Sequence, residues 1–254
     1  MEARAISVAG LKIPWERLVV GVHPLELAAD AGLLEFAVAA GDDKRAEIAR
    51  LFDTSGVKTR RIERAELDNL ELPDGHQNVF GAIRELPNQD PVEAVPESGR
   101  ALVVLLDGIT DPRNAGAIVR SAAAVGASAV VLPSHRSAQP GPVFYKASAG
   151  LAFKIPICRG RNLSQVLDEL ARRGFWSVAA AACKDSSSGR KFKFPERCAL
   201  VLGGEDKGIR QKLAGHCDHS VSIPMVSGIE SLNVAVAAGI LAYKWAQDNG
   251  VFEW

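Results

Sequence analysis

Apolar residues along this chain come in short runs separated by amphipathic stretches, and the period of the pattern names the elements. In the first third, "RLVVGVHPLELAADAG" predicts a short strand and then a helix, "LLEFAVAAGD" a strand, and "KRAEIARLFDTSG" an amphipathic helix. "VKTRRIERAELDNL" adds a strand and a short helix, and "NVFGAIREL" a last strand. The stretch "PNQDPVEAVPESGR" that follows is rich in proline and acidic residues and reads as a linker. Beyond it the alternation strengthens. "ALVVLLDG" is a near-continuous apolar run of the kind found in a strand covered on both faces, and similar runs recur at "ASAVVLP", "FWSVAAAA" and "CALVLGGE", with "SVSIPM" after them. Helical segments fall between these runs at about residues 114–125, 142–150, 163–173, 209–215 and 230–248.

Strands alternating with helices imply an α/β fold with a mostly parallel sheet. The expected division is a small α/β domain over residues 1–88, a linker over 89–99 and a larger α/β domain over 100–254. In such sheets ligands bind beyond the carboxyl ends of the strands, so the loops after Leu106, Leu202 and Ile223 are the ones to read for chemistry.

The first loop opens "LDGITDPRNAGAIVRSAAAVGA". Asp111 or Asn114 can cap the helix that follows, Pro112 suits its first turn, and Arg120 lies further along a face of small apolar residues. A guanidinium there needs an anion or several carbonyls; a salt bridge to a carboxylate at the core edge would also satisfy it. The second loop, "LVLGGEDKGIRQKL", carries Gly203 and Gly204, which permit close approach of a ligand or another backbone, and then Glu205 and Asp206. Two acids argue against an anion and suit a ribose or adenine, although acids at a helix N-terminus are also favoured without a ligand. In the third, "IPMVSGIESLNVAVAAGILAYKW", Ser227 and Glu230 fit a capping box. Ser231 and Asn233 stand at the mouth of the apolar helix without that explanation, and each needs a hydrogen-bond partner if buried.

Other features narrow the picture by exclusion. The chain contains no zinc-spaced Cys/His set, Walker A motif, nucleophile elbow or G-x-G-x-x-G fingerprint. No apolar run approaches the roughly 18 residues of a membrane span, and the first residues lack a signal peptide's pattern, so a cytoplasmic location is expected. Cys158, Cys183, Cys198 and Cys217 are widely separated and read as reduced core thiols with no metal role. Lys plus Arg and Asp plus Glu balance at 30 each, which removes a global basic field but not a local patch. "KTRRIERAE" and "GRKFKFPER" are such patches, and "RSAQPGPVFYKASAG" sets Arg136 and Lys146 on a loop open to substrate or solvent.

Taken together and in order, "DPRNAGAIVRSAAAVGA", "LVLGGEDKGI" and "IPMVSGIESLNVAVAAGI" resemble the three motifs of the SpoU/TrmH family of RNA ribose 2′-O-methyltransferases in the SPOUT superfamily. "VVGVHPLELAADAG" with His76 and Gln77 is similar to that family's small RNA-binding domain of ribosomal-protein type, and "RSAQPGPVFYKASAG" resembles the bacterial branch that modifies a guanosine of 23S rRNA. The resemblance implies a SPOUT-type α/β domain closed by a C-terminal trefoil knot, S-adenosyl-L-methionine as cofactor, an RNA substrate and a homodimer with its sites at the interface. It implies cofactor contacts from Gly203, Ile223, Met225 and Leu232, and a polar centre of Asn114, Arg120, Glu205, Ser231 and Asn233 in which Ser231 and Asn233 face Arg120 or the ribose. Family mechanisms give Arg120 the proton abstraction; with a guanidinium pKa above about 12, stabilising the developing alkoxide or clamping a phosphate is the other role open to it. The same reaction on tRNA or another rRNA nucleotide, and a non-enzymatic RNA-binding protein, are the rival expectations. Two departures stand out: Asn78 where relatives often carry glycine, and Lys244 where an acid is common.

Overall fold

The computed structural model describes residues 4–8, 10–41, 57–181, 187–188, 191–205, 207–229 and 231–252. In chain order its strands are β1 (Ala5–Val8), β2 (Leu11–Pro14), β3 (Leu18–Val20), β4 (Leu34–Ala40), β5 (Lys58–Ile62), β6 (Val79–Ile83), β7 (Ala101–Asp107), β8 (Ala129–Leu132), β9 (Ile157–Arg159), β10 (Trp176–Ala180), β11 (Ser187–Ser188), β12 (Arg197–Gly203) and β13 (His219–Ser222). The α-helices are α1 (Val22–Asp30), α2 (Arg64–Asp68), α3 (Pro112–Ala124), α4 (Pro142–Ala147), α5 (Leu163–Ala171), α6 (Gln211–Ala214) and α7 (Val234–Asp248). The helix expected over residues 44–56 lies outside the described residues, as do Cys183, Asp206 and Glu230. Among the described residues no helix is long and apolar enough to cross a membrane.

Two compact units divide the chain: Met1–Leu86 with Gln139–Lys154, and Pro87–Ala138 with Ile155–Trp254. In the first, a four-stranded sheet runs β3-β6-β4-β5, with β6 antiparallel to both neighbours and β5 parallel to β4. β1 and β2 form an additional antiparallel hairpin whose turn contains Gly10 at φ 79°. Its buried Ile6, Val8 and Ile13 join the core with Leu18, Val38 and Phe80. The departure at Asn78 has a conformational reason. Gln77 and Asn78 sit at φ 55° and 59°, a left-handed turn that asparagine tolerates better than most residues, and the Gln77 side chain accepts the Val22 N–H at 3.1 Å.

The segment Gln139–Lys154 leaves the second unit's sequence run to complete the first unit's core. Tyr145 of α4 is fully buried, donates its hydroxyl to the Glu16 carbonyl at 2.8 Å and lies between Phe144 and Phe153. Gly150, at φ 78°, comes so close to Pro24 that an added Cβ would lie 2.9 Å from the Pro24 Cα. Lys146 donates to the Asp74 carbonyl, which makes it an anchor inside this unit.

The second unit carries a seven-stranded sheet in the order β11-β13-β10-β12-β7-β8-β9, every neighbouring pair parallel. Strand β7, buried at all of its positions, lies inside the sheet, as its unbroken apolar run requires. On one side α5 lays Leu163, Val166, Leu167 and Leu170 against the core at helical spacing, with Asn162 accepting the Ser164 N–H as its cap. The proline-rich stretch after Leu86 has no regular structure, yet it is docked. Val95 enters the core, Asp90 pairs with Arg161 at 2.7 Å, and the Arg197 guanidinium donates to the carbonyls of Pro96 and Gly99. The three-residue β9 has no counterpart among the expected elements; it extends the sheet beyond β8.

Candidate active site at the carboxyl ends of the strands

Loops leaving β7, β12 and β13 meet the last residues of β10 at one end of the parallel sheet, where the strand order reverses across β7 and β12. Asp111 N-caps α3 by accepting the Arg113 N–H at 2.8 Å, and Pro112 occupies its first turn. This fixes the helix so that Asn114 faces the β12 loop. There the chain folds back on itself: the Gly208 N–H donates to the Gly204 carbonyl at 2.8 Å, and a Cβ on Gly203 would overlap the backbone of Gly208 and Ile209.

Asn233 explains itself differently from its sequence expectation. Helix α7 starts at Val234, later than the expected residue 230, and Asn233 is its N-cap, its Oδ1 accepting the N–H groups of Ala235 at 2.9 Å and Val236 at 3.4 Å. With the oxygen so engaged, its amide nitrogen is the donor left over, and it points at Asn114 Oδ1 and Glu205 Oε1, both at 3.1 Å. Asn114 Nδ2 completes the cluster by donating to Glu205 Oε1 at 2.6 Å. Two amides thus hold one carboxylate oxygen in place, and the other oxygen, without a hydrogen-bond partner among the described residues, suits a hydroxyl.

Arg120 is not part of this cluster within one chain. It follows Asn114 by six residues on α3 and so projects about 120° away around the helix axis. It is exposed, and its guanidinium has no hydrogen-bond or ion-pair partner among the described residues. The expectation that Ser231 and Asn233 contact Arg120 is therefore not met inside the monomer, because helical geometry turns the two faces apart. Ser231 is exposed and borders the cavity described next.

Gly203, Ile223, Met225 and Leu232 all line one cavity of about 200 Å³ between the ends of β10, β12 and β13 and the start of α7. Its walls combine apolar side chains, Leu202, Val234 and Leu241 among them, with the backbone of the Gly203–Gly204 turn, and Glu205 stands at its edge. Such a lining accepts a flat heterocycle against the apolar wall, its polar edges on backbone groups and a hydroxylated sugar at the carboxylate.

Sequence reading missed Asp107 and Arg210. The Asp107 carboxylate is almost wholly buried at 2% exposure and takes both the Arg210 backbone N–H, at 2.8 Å, and its Nε–H, at 2.7 Å. That clasp ties the end of β7 to the segment after the β12 loop. An acid closing an otherwise apolar strand was the available signal, since a buried carboxylate must be paired. Burial pushes the thiols of Cys158 and Cys217 up to about 12 and about 11, and raises that of Cys198 further, so all three stay protonated at neutral pH. Lys244, the other departure, pairs with Asp248 one turn on, at 2.7 Å.

The sequence pattern described as the SpoU rRNA Methylase family matches residues 101–243, from the start of β7 to within α7, more than half of the chain. The chain belongs to the SpoU rRNA methylase family. Among SpoU-type relatives, a 23S rRNA (guanosine-2′-O-)-methyltransferase RlmB of Xanthomonas campestris is 39% identical over 202 residues, covering 78% of this chain and 81% of the relative. The RlmB of Escherichia coli K12 is 33% identical over 237 residues, covering 89% and 96%. Of solved structures, the SpoU methyltransferase AviRb from Streptomyces viridochromogenes, in complex with the cofactor AdoMet, superposes with a TM-score of 0.77 at 29% identity, covering 91% of this chain and 89% of that one. The SpoU-matched segment contains the Asn114–Glu205–Asn233 cluster and the cavity beside it.

Proposed function

We propose that this protein is an S-adenosylmethionine-dependent methyltransferase that modifies the ribose 2′-hydroxyl of a guanosine in 23S rRNA. The observation that carries the reading is the amide-held Glu205 carboxylate at the edge of the Gly203–Leu232 cavity, within a segment matched to a family of rRNA methylases. S-adenosylmethionine bound in that cavity supplies an electrophilic methyl group. Gly203, Ile223, Met225 and Leu232 hold the donor, while Asn114, Glu205 and Asn233 orient the ribose. A 2′-hydroxyl is a poor nucleophile and must shed its proton as it reacts, so positioning and charge stabilisation supply the acceleration. The relatives named RlmB favour guanosine of 23S rRNA. The first unit serves as the RNA-binding domain, and edge strand β5 offers it Lys58, Arg60 and Arg61 for phosphates. In a strain lacking the gene, a mass-spectrometric map of ribose methylation is expected to lose one guanosine mark in 23S rRNA. An intact 23S map beside a tRNA that has lost a mark would transfer the assignment to tRNA.

The enzyme is a cytoplasmic homodimer joined through α3 and α7. Three large apolar side chains at helical spacing on α7 face solvent, Val236 at 51%, Ile240 at 44% and Tyr243 at 47% exposed, and Val226, Ile229 and Leu232 extend the patch. Gly239 sets α7 close to Ser121 of α3, whose own open row is Arg113, Ala117, Arg120 and Ala124. A second copy on this surface would deliver Arg120 of the partner subunit to the cluster that lacks it. The double variant Val236→Asp with Ile240→Asp is expected to elute as a monomer by light scattering and to have no methyl-transfer activity; a stable dimer would move the interface elsewhere. The knot belongs to the same reading. Trp245 donates to the Pro195 carbonyl at 3.1 Å and Asp248 accepts the Phe194 N–H at 3.0 Å, contacts that fix the end of α7 against the segment before β12, as a knotted C-terminus requires.

A further inference from the structure

A second cavity opens on the other side of the Glu205 cluster. Its volume is about 620 Å³, and it shares Gly204, Glu205, Gly208 and Val234 with the cofactor cavity. Unlike the first, it is walled by charge. Of its three carboxylates, Asp107 is paired with Arg210, Asp111 caps α3, and one oxygen of Glu205 is held by the two asparagines. Two cations on its wall, Arg136 and Lys207, have no hydrogen-bond or ion-pair partner among the described residues. Arg136 also sits at φ 53°, a left-handed conformation costly for arginine, in a loop pinned by the Ala138 N–H to the Ile109 carbonyl at 2.8 Å. Such strain persists where the surroundings impose it, often at ligand-holding loops.

We propose that Arg136 and Lys207 form a clamp for the phosphodiester on the 3′ side of the methylated nucleotide. The inference rests on the methyltransferase reading and adds the substrate subsite to it. On RNA the phosphate esterified to O3′ is the anion nearest the 2′-oxygen, so a ribose at Glu205 carries that phosphate into the adjoining space. Arginine's planar fork and a lysine ammonium from opposite loops suit one phosphate between them. The clamp also has a protective use. A 2′-oxygen that loses its proton can attack its own 3′-phosphodiester and cut the chain, and a phosphate held out of line with that oxygen cannot be attacked.

Arg136→Ala, Arg136→Gly, Arg136→Lys and Lys207→Ala test the clamp with in vitro transcribed, unmodified 23S rRNA as the probe. Filter binding should weaken by about ten-fold for each charge-removing variant, and the slope of log affinity against log salt should fall by about one. Arg136→Lys should recover most of the binding. Arg136→Gly relieves the φ strain, so it should fold at least as well as the parent and still bind RNA poorly. S-adenosylmethionine binding, followed by calorimetry, should be unchanged in all four. Unchanged RNA affinity and salt slope in the alanine variants, or full RNA binding in Arg136→Gly, would overturn the clamp. Failure of the parent protein to methylate or to bind S-adenosylmethionine would instead remove the methyltransferase reading on which the clamp rests, whereas failure of the clamp alone leaves the parent's methylation and cofactor binding intact.

Discussion

Arg120→Ala is expected to lower methyl transfer by at least about 100-fold, the usual cost of removing one transition-state donor, while S-adenosylmethionine binding stays near normal. Within its own chain the side chain is not among the residues lining the Gly203–Leu232 cavity and projects away from Asn114, and in the proposed dimer it meets the reacting ribose rather than the cofactor's binding surface. The same geometry predicts complementation between subunits. Homodimers of Arg120→Ala and of Asn233→Ala should both be inactive. Mixed dimers should regain activity in one of their two sites, because one subunit keeps Asn233 and the other supplies Arg120. Separately tagged subunits purified in tandem and assayed for methyl transfer measure this directly; inactive mixed dimers would put Arg120 to work within its own chain.

Gly203→Ala is expected to abolish cofactor binding and to destabilise the second unit by about 1–3 kcal/mol, the range for forcing extra atoms into a packed place. The reason is local. The chain from Gly204 to Gly208 turns back over Gly203, and an added Cβ overlaps the backbone of Gly208 and Ile209, which cannot rotate away as a side chain could. Opening that turn would displace Glu205 from both asparagines at once. Thermal unfolding and calorimetric titration with S-adenosylmethionine read the two effects; a variant that binds the cofactor as the parent does would show that the turn tolerates a side chain.

What the sequence could reveal follows from the range over which its signals act. β7, β8, β10 and β12 were legible because strands buried on both faces must be continuous apolar runs, and the three loops after the strands were legible because polar residues there interrupt such runs. The hairpin of β1 and β2 and the three-residue β9 were not, since strands this short carry too few positions to establish a period. The sequence places Asn233 in the polar centre but not as the cap, because a capping asparagine and a site asparagine look the same at a helix mouth; here one amide performs both tasks, with its two ends. Arg120 stands out in the sequence as a charge on an otherwise apolar helix, but its angular separation from Asn114 becomes apparent only when both are set on a helix of known start. Composition makes residues 89–99 look like a linker, whereas they belong to the second compact unit and are docked through Val95, Asp90 and Asn88 by contacts with residues far along the chain, which composition does not encode.

The excursion of Gln139–Lys154 bears on how such proteins can be cut and recombined. A unit whose core needs Phe144 and Tyr145 is not encoded by one continuous stretch, so a fragment ending at Leu86 is missing part of its own interior. A chain begun at Pro87 has the opposite defect, since it exposes two aromatic rings made for another core. Exchange of the first unit between proteins of this kind therefore requires replacing two segments at once through three junctions, two of which lie between strands β8 and β9 of the parallel sheet. A single crossover leaves one of the two units without part of its interior.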